Sequence, residues 1–364
     1  MAKHAFEVMG LDKDFNIVTW LRYTNLQWNR KFYEMGSFSI QISLEQYDSS
    51  IKYIYTKDRP EVGKINQVNY IEQNGSRIFA LSGYFLENDL NSRVCYINGN
   101  TNIVDAPDFV NVTGPAEDVA TTYFDAFKDV TFVIDEVTQS CPLGIETKES
   151  QGRGNESDHY RQGEYLGDKI HTILKPSKMG YRVAYDFEAN TKTFECLKGV
   201  DRTQNNEELN NPVIFSTRYG NLKNPNIVWS DADYKNAYIA SNSYEENDVK
   251  TSYAEANIEP EDGDLDYVFL NAESQVNHSD YSSTDDYIAA IITDGHTQLL
   301  DCKRTISFDL DAIEGSYEYM TDFDLGDECS LEIKEIGLSE DAVLTACYEV
   351  IKAGTWTLSL EFDV

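Results

Sequence analysis

The sequence predicts a mainly β protein with an α+β insertion, and three observations lead to this prediction. Apolar and polar residues alternate with a period of two along most of the chain, turn residues separate the alternating runs, and two segments only show helical spacing. Of the 364 residues, 41% are hydrophobic and 12% are aromatic, so the chain can fill more than one core. We therefore expect two or three domains.

The predicted strands follow directly from this alternation. Uninterrupted or nearly uninterrupted alternation predicts strands at 37–44, 61–70, 76–85, 182–187, 192–197 and 355–362. Asn74-Gly75 lies between the runs 61–70 and 76–85, and an Asn-Gly pair is typical of a tight hairpin turn. Ala353-Gly354 precedes the run 355–362. In the last strand, alternation places Trp356, Leu358, Leu360 and Phe362 on one face.

Two segments have the spacing of amphipathic helices. Between Pro115 and Val130 the apolar residues line one helical face, and the same holds from Glu164 to Leu174, where Pro176 ends the helix. With the hairpin that follows them, they predict a small α+β unit between β-rich flanks. The polar segment 147–161 is expected to be an exposed loop, and the acidic segment 241–286 a long excursion between elements rather than a domain.

The charge of the chain excludes several kinds of partner. Sixty-three Asp and Glu residues against 30 Lys and Arg give a net charge of −33. Binding to nucleic acid or to an anionic membrane needs clustered basic residues, and the sequence has no basic run. The first residues lack the apolar core of a signal peptide, and no segment is apolar over the length of a membrane span. We expect no specific nucleic-acid partner and no membrane partner. Six dispersed cysteines without C-x-x-C predict reduced thiols in a protein assembled in a cytoplasm.

No pattern of residues supports catalysis. The five histidines occur without an H-E-x-x-H motif, and no G-x-S-x-G motif is present. Cys141 lacks a cysteine-protease signature, and Gly152-Arg153-Gly154 lacks the strand and the Gly-Lys-Ser/Thr of a phosphate loop. His171 lies in the middle of a predicted amphipathic helix, and we expect a boundary residue rather than a catalytic base. We therefore predict that the protein is not an enzyme, and we assign no catalytic, cofactor-binding or metal-binding residue.

Two acidic segments contain a glycine among their carboxylates, as calcium-binding EF-hand loops do. Glu261–Asp266 has its glycine too early for an EF-hand, and Asp322–Glu328 suits a turn between strands equally well. A bound cation therefore stays open, without assigned ligands.

Several short motifs occur in order along most of the chain. The first is Trp28-Asn29-Arg30-Lys31-Phe32-Tyr33-Glu34-Met35-Gly36-Ser37-Phe38. The others are Gly63-Lys64-Ile65, Leu81–Leu86 with Leu90 and Arg93, Tyr165–Asp168 with Gly180–Val183, Lys198–Thr203, Phe215–Leu222, Tyr234–Ala240 and Asp324–Asp327. Together they resemble a siphophage and prophage tail family, the baseplate hubs at the tip of the tail tube, whose module also opens some tail-associated lysins. The match fades from about 241 to 300.

This resemblance implies a structural function. It implies two tube-like β-barrel domains at 1–110 and 206–364, with an inserted α+β domain at 111–205. Three copies would present six barrels, so that a threefold tip meets a sixfold tail tube. The expected partners are two further copies of the chain, a distal tail or tail-tube protein, and a tail spike, fibre or tape-measure protein. The protein would belong to the virion tail, assembled in the bacterial host cytoplasm, without an appended lysin domain.

The acidic composition favours one further hypothesis, and two other functions compete with the hub. Acids lining the tube would repel DNA and let it slide, whereas acids elsewhere would only keep the protein soluble. The 24 tyrosines are also compatible with a carbohydrate-binding or adhesin protein on a phage or cell surface. An acidic hydrolase with paired carboxylates is the third candidate. Neither competitor accounts for the ordered motifs.

Overall fold

The computed structural model describes residues 6–73, 75–95, 112–134, 137–159, 163–246, 249–258, 267–274, 276, 278–300 and 302–364. The protein is 51% strand and 18% helix, which confirms the predicted mainly β fold. Two compact units are present, one formed by Met1–Asn226 with Phe308–Val364 and the other by Ile227–Ser307. In the described ranges, every helix is too short or too polar to cross a bilayer. The domain boundaries at 110 and 205 stay a prediction.

The amino-terminal segment is a run of antiparallel strands. They are β1 (Val8–Leu11), β2 (Ile17–Leu21), β3 (Tyr23–Lys31), β4 (Ser37–Ser43), β5 (Tyr53–Thr56), β6 (Val62–Gln73) and β7 (Ser76–Phe85). In β4 buried and half-exposed residues alternate, as the sequence predicts. Strands β6 and β7 form the predicted hairpin, closed by the pair Gln73 and Ser76. Gly75 in its turn has a φ of +77°, a conformation that glycine adopts without strain.

The middle segment contains both predicted helices. Its elements are β8 (Val112–Pro115), α1 (Ala116–Phe127), β9 (Asp129–Ile134), β10 (Val137–Pro142), β11 (Glu146–Thr147), β12 (Glu156–His159), α2 (Leu166–Leu174), β13 (Met179–Asp186), β14 (Thr191–Lys198) and β15 (Asp201–Arg202). The two helices bury their apolar faces, and β13 pairs with β14 in the second predicted hairpin. The expected loop at 147–161 contains β12, which pairs with β8.

The carboxyl-terminal segment supplies the remaining elements. They are β16 (Ile214–Ser216), β17 (Leu222–Ser230), β18 (Ala237–Glu246), β19 (Val249–Ile258), β20 (Phe269–Glu273), α3 (Thr284–Leu300), β21 (Thr305–Ala312), β22 (Glu328–Ile333), β23 (Leu338–Lys352) and β24 (Thr355–Asp363). Short 3₁₀ helices lie at Leu44–Gln46, Leu86–Ser92, Lys175–Ser177, His278–Asp280 and Lys334–Ile336.

One sheet joins the two ends of the chain. Its order is β17-β21-β24-β23-β3-β4-β7-β6-β5-β1-β2, and β22 pairs with β23, β15 and β16. The link is antiparallel pairing of β3 with β23, which sets Arg30 opposite Cys347 and Trp28 opposite Glu349. The β-rich flanks predicted from the sequence are therefore continuous in hydrogen bonding. This order has two ends, at β2 and at β17, and closure of the sheet into tubes stays a prediction.

Two of the hydrophobic cores formed by the described residues support the amino-terminal strands and the α+β segment. One lies among the amino-terminal strands and includes the buried Trp28, Phe38 and Phe85. The other packs the buried faces of α1 and α2 against β13, β14 and residues of the first strands, among them Leu11 and Val62. The α+β segment is thus anchored on the first strands by shared apolar burial.

The acidic segment 241–286 corrects a prediction. Instead of a long excursion, it belongs to the second unit, in which β18 pairs antiparallel with β19 and parallel with β20. Helix α3 covers this sheet, and it buries Tyr287 and Ile291. A Cβ at Gly295 would lie 2.7 Å from the Tyr238 ring, so glycine allows close approach of helix and sheet.

Candidate functional site

A buried arginine holds together distant parts of the first unit. Arg30 on β3 is 2% exposed. Its Nε donates to Glu61 Oε1 at 2.8 Å, and its Nη1 donates to Asp324 Oδ1 at 2.8 Å and to the Tyr319 hydroxyl at 2.6 Å. Glu61 precedes β6, and Tyr319 and Asp324 lie between β21 and β22. Arg30 therefore links three segments of the chain. Glu61 lies 31 residues after Arg30 in sequence, whereas Tyr319 and Asp324 lie 289 and 294 residues after it.

A second ion pair lies beside the first. Arg59 donates from Nε to Glu349 Oε2 at 2.8 Å and from Nη2 to Oε1, and the Trp356 indole donates to the same carboxylate at 3.2 Å. Glu349 on β23 is 1% exposed. The Tyr319 ring lies 5.7 Å from the Arg30 guanidinium and 5.6 Å from that of Arg59. We call the set Arg30, Arg59, Glu61, Tyr319, Asp324 and Glu349 the ionic junction.

Burial makes the electrostatics of the ionic junction strong. Burial lowers the pKa of Arg30, but the facing Glu61, Tyr319 and Asp324 raise it more, so the pKa ends well above its usual value. Burial also raises the pKa of Tyr319 well above its usual value, so the phenol stays protonated and accepts from Arg30 as a neutral hydroxyl. Charges withdrawn from water need partners, and each partner lost leaves an uncompensated group. The ionic junction is therefore a structural fastening, whose groups are paired with one another.

Glycines near Phe32 bring further segments together. Phe32 is fully buried. A Cβ at Gly180 would overlap the Phe32 carbonyl oxygen, and a Cβ at Gly326 would overlap the Phe32 ring. A Cβ at Gly199 would overlap the carbonyl of Gly326. Backbone from the middle and carboxyl-terminal segments therefore approaches Phe32, directly after β3, more closely than a side chain would allow.

Asp327 completes this glycine contact. Its carboxylate accepts from the backbone N–H of Val200 at 2.8 Å, from Arg202 Nε at 2.7 Å and from the N–H of Asp324 at 3.0 Å. Parts of four of the motifs identified in the sequence thus meet around Arg30 and Phe32. They hold the first unit together, and none of these contacts places a nucleophile beside a base.

The residues considered for catalysis have structural partners. His171 Nδ1 lies 2.7 Å from the Tyr33 carbonyl oxygen. Cys141 is exposed, and its carbonyl accepts from Arg93 at 2.8 Å. Arg153 pairs with Glu117, with 2.7 Å between Nη2 and Oε1. The structure does not bring His171, Cys141 and Arg153 into one site.

The two calcium-like segments have different outcomes. In Asp322–Glu328, the Asp322 carboxylate accepts from the N–H of Glu318, Asp324 pairs with Arg30, and Asp327 accepts the bonds given above. These carboxylates serve a turn and ion pairs. Glu261–Asp266 lies outside the described residues. Among the residues that the structure describes, no acids, histidines or cysteines are grouped as metal ligands would be.

Most members of the ionic junction carry no motif of their own. The sequence motifs do not include four of its residues, Arg59, Glu61, Tyr319 and Glu349. The position of Glu349 could have indicated its role, because this residue lies between Cys347 and Ile351 on the buried face of β23. A carboxylate at a position where alternation predicts an apolar side chain indicates a buried ion pair.

The other face of the sheet carries acids. Asp309 and Asp311 on β21 lie beside Glu361 and Asp363 on β24, and Ser359 donates to Asp311. Tyr348 on β23 donates to Glu361 at 2.6 Å. Partial burial and then the charge of Glu361 raise the pKa of Asp363. We call Asp309, Asp311, Glu361 and Asp363 the acidic face.

A buried carboxyl next to the ionic junction yields a pH prediction. Glu87 Oε1 accepts from the N–H of Val183 at 3.0 Å, and Oε2 has no partner. Burial, and then the charge of Glu61, raise the pKa of Glu87 from 4.5 to about 7. The folded state then holds this proton where the unfolded state has lost it. The contribution of Glu87 to the free energy of unfolding is therefore expected to fall as the pH rises from 4.5 to about 7.

The check is urea unfolding at several pH values for the parent and for Glu87→Gln, which keeps the acceptor oxygen. The difference in the free energy of unfolding between the parent and Glu87→Gln should change between pH 4.5 and about 7 and become constant above that range. Leu90→Ala, in the same turn, removes apolar burial without a titrating group, so its effect should be equal at all pH values. A pH-independent difference for Glu87→Gln would contradict the assignment.

Comparison with known proteins gives concordant matches. The family model described as Siphovirus ReqiPepy6 Gp37-like protein matches residues 7–362. The fold is similar to the tail protein from Neisseria meningitidis MC58, at 13% identity and a TM-score of 0.57, over 99% of this chain and 97% of that chain. It is also similar to the 43 kDa tail protein of prophage MuSo2 from Shewanella oneidensis, at 11% identity and a TM-score of 0.55, over 99% and 98%.

A third solved structure has a related fold. Prophage tail protein gp18 from Listeria monocytogenes EGD-e matches at 10% identity and a TM-score of 0.51, over 98% of this chain and 94% of that chain. No curated protein matches the sequence. At these identities the solved structures share the fold with this chain over nearly its whole length.

Proposed function

Because this chain belongs to the Siphovirus ReqiPepy6 Gp37-like family of phage tail proteins, we propose that it is a baseplate hub, which joins a sixfold tail tube to a threefold tip. A structural role in a phage or prophage tail follows from the family. The hub is a more specific role. The observation that carries it is the similarity to three tail proteins over at least 98% of this chain, which includes the middle α+β segment as well as the flanking strands.

The proposed assembly is a ring of three copies. Each copy contributes two tube-like barrels, at 1–110 and 206–364, and the α+β segment 111–205 lies between them in sequence. One heterologous interface per copy closes the ring after three repeats. The ring contacts a distal tail or tail-tube protein on one side and a spike, fibre or tape-measure protein on the other. The protein has no catalytic role in this assembly, and it is part of the virion tail, assembled in the host cytoplasm.

The experiment that tests the hub is cryo-electron microscopy of tails that contain this chain. The expected result is three copies in one ring at the tip, each contributing two barrels to a continuous channel. Six copies, or a position on the outside of the tube, would overturn the proposal. Mass photometry of the chain co-expressed with the adjacent tail genes provides an independent count of copies.

We further propose that the acidic face lines the DNA channel. Four carboxylates on neighbouring strands repel phosphates, so DNA slides past them without being bound. Reversing two of these charges, as Glu361→Lys with Asp363→Lys, is expected to slow DNA ejection and to retain DNA in the tail. A matched control reverses the exposed Glu45 and Glu207, which lie outside the acidic face. Ejection rates of assembled particles measure the effect, and equal rates for the two variants would contradict the channel assignment.

A further inference from the structure

An open groove in the first unit shares one lining residue, Arg59, with the ionic junction and none with the acidic face. It has a volume of about 500 Å³, and residues of β5, β13, β14 and the turns beside them line it. Pockets that bind ligands commonly have volumes of about 300–1,000 Å³. The backbone N–H of Tyr185 donates to the Pro60 carbonyl at 3.3 Å, which fixes β13 against the turn that follows β5. The groove is therefore built on paired backbone.

Three aromatic rings lie along the groove. The Tyr55 and Phe187 rings are stacked, with 5.4 Å between centroids and 6° between planes. Tyr185 packs edge-on against both rings, at 6.0 Å from Tyr55 and 6.2 Å from Phe187. Tyr55 and Tyr185 are buried, whereas Phe187 is 36% exposed. Phe187 thus presents an aromatic surface to a molecule in the groove.

The cations of the groove are already paired. Lys57 lies 2.7 Å from Glu7, and Arg59 holds Glu349 in the ionic junction. Neither Glu7 nor Glu349 lines the groove. These two pairs cancel, so Lys57 and Arg59 add little positive charge to the groove.

The acids of the groove are not paired with cations. Asp58, Asp186 and Glu188 line the groove, and within the described ranges no ion pair includes any of them. Asp58 accepts from the Thr56 hydroxyl, and Asp186 accepts from two backbone N–H groups of its turn. Asp58 and Asp186 line the groove together with the aromatic rings, and burial, followed by the charges of Asp186 and Asp58, raises the pKa of Tyr55. The groove therefore offers three carboxylates beside an exposed aromatic face.

We propose that this groove binds a basic, extended segment of another protein, by placing Lys or Arg side chains over Phe187 and against Asp58 and Glu188. Carboxylates complement the cationic groups, and an aromatic face attracts a cation and covers its methylene stem. A nucleic acid or an anionic lipid would meet like charge here. The proposal does not depend on the hub assembly, because it concerns a surface within one unit of one chain.

The test is the affinity of the full chain for a fluorescent hexa-arginine peptide, measured by anisotropy at physiological salt. A protein of charge −33 binds any polycation weakly, so the variants must separate the groove from the bulk charge. Phe187→Ala changes no charge and is expected to weaken binding about two- to fivefold. Tyr219→Ala removes an exposed ring outside the groove, and it should leave the affinity unchanged.

Charge is tested separately. Asp58→Asn with Glu188→Gln is expected to weaken binding about fivefold or more, from the loss of two charge pairs. Glu45→Gln with Glu207→Gln removes the same number of charges from exposed positions outside the groove. Equal affinities for the two double variants, or no effect of Phe187→Ala, would overturn the proposal. The Phe187 and charge variants are independent, so one that fails to fold leaves the other decisive.

Discussion

Replacing Arg30 with methionine is expected to lower the free energy of unfolding of the first unit by about 3–5 kcal/mol. Methionine fills much of the volume but leaves Glu61 buried without its cation. Glu61 already has one oxygen without a partner, and it raises the pKa of the neighbouring Glu87. Removal of the Arg30 guanidinium therefore leaves the carboxyl groups of Glu61 and Glu87 near each other in a buried environment without a neutralising cation. The change in the free energy of unfolding is measured by urea unfolding followed by tryptophan fluorescence, because Trp28 and Trp356 belong to the first unit.

Two further variants separate the charge from the volume. Arg30→Met with Glu61→Gln removes the uncompensated charge, and this double variant should recover about 1–3 kcal/mol of the loss. Lys13→Met breaks an ion pair in which both side chains are mostly exposed, and it should leave the unfolding midpoint unchanged. If Arg30→Met unfolded at the same urea concentration as the parent, the ionic junction would not hold these segments together.

Replacing Gly326 with alanine is expected to destabilise the first unit by about 2–5 kcal/mol, because two costs add. The φ of Gly326 is +87°, a conformation that a residue with a Cβ rarely adopts. The new methyl group would also overlap the ring of Phe32, which is buried and cannot move aside freely. Thermal unfolding of the purified variant, with the same fluorescence signal, gives the change in stability.

Gly337→Ala is the matched control for this prediction. Gly337 has a φ of +67°, but no atom lies within 4 Å of the position where a Cβ would be. Gly337→Ala is therefore expected to lower the free energy of unfolding only through the strained backbone conformation, by about 1 kcal/mol. Adding Phe32→Leu to Gly326→Ala should relieve part of the overlap. Equal losses for Gly326→Ala and Gly337→Ala would show that close packing against Phe32 contributes nothing.

Local patterns predicted the elements that depend on local chemistry. Alternation located the 37–44 strand, the hairpin around Gly75 and the strand after Gly354, and helical spacing located the two helices of the middle segment, because one buried face imposes its period on the sequence. The same reasoning failed for 241–286. There the second unit buries a few aromatic and aliphatic residues, while most of its residues are acidic or polar and exposed.

The ordered motifs identified the family from sequence, but their physical reason appears only in three dimensions. Arg30, Phe32 and Gly36 look like a local signature of one strand. In the structure Arg30 holds Asp324, and Phe32 packs against backbone at Gly180 and Gly326. Such long-range contacts leave no periodic trace in the sequence, because each partner lies in a separate segment and is chosen for its fit to the others.

The sequence by itself determined that this protein is a mainly β tail protein with a helical insertion and a large negative charge. Composition, period and motif order are properties of the chain, and folding does not change them. The tertiary structure decided that the two ends of the chain share one sheet, that buried ion pairs fasten them, and where the acids lie. Strand pairing and ion pairing depend on which distant residues meet, and that is set only when the whole core closes.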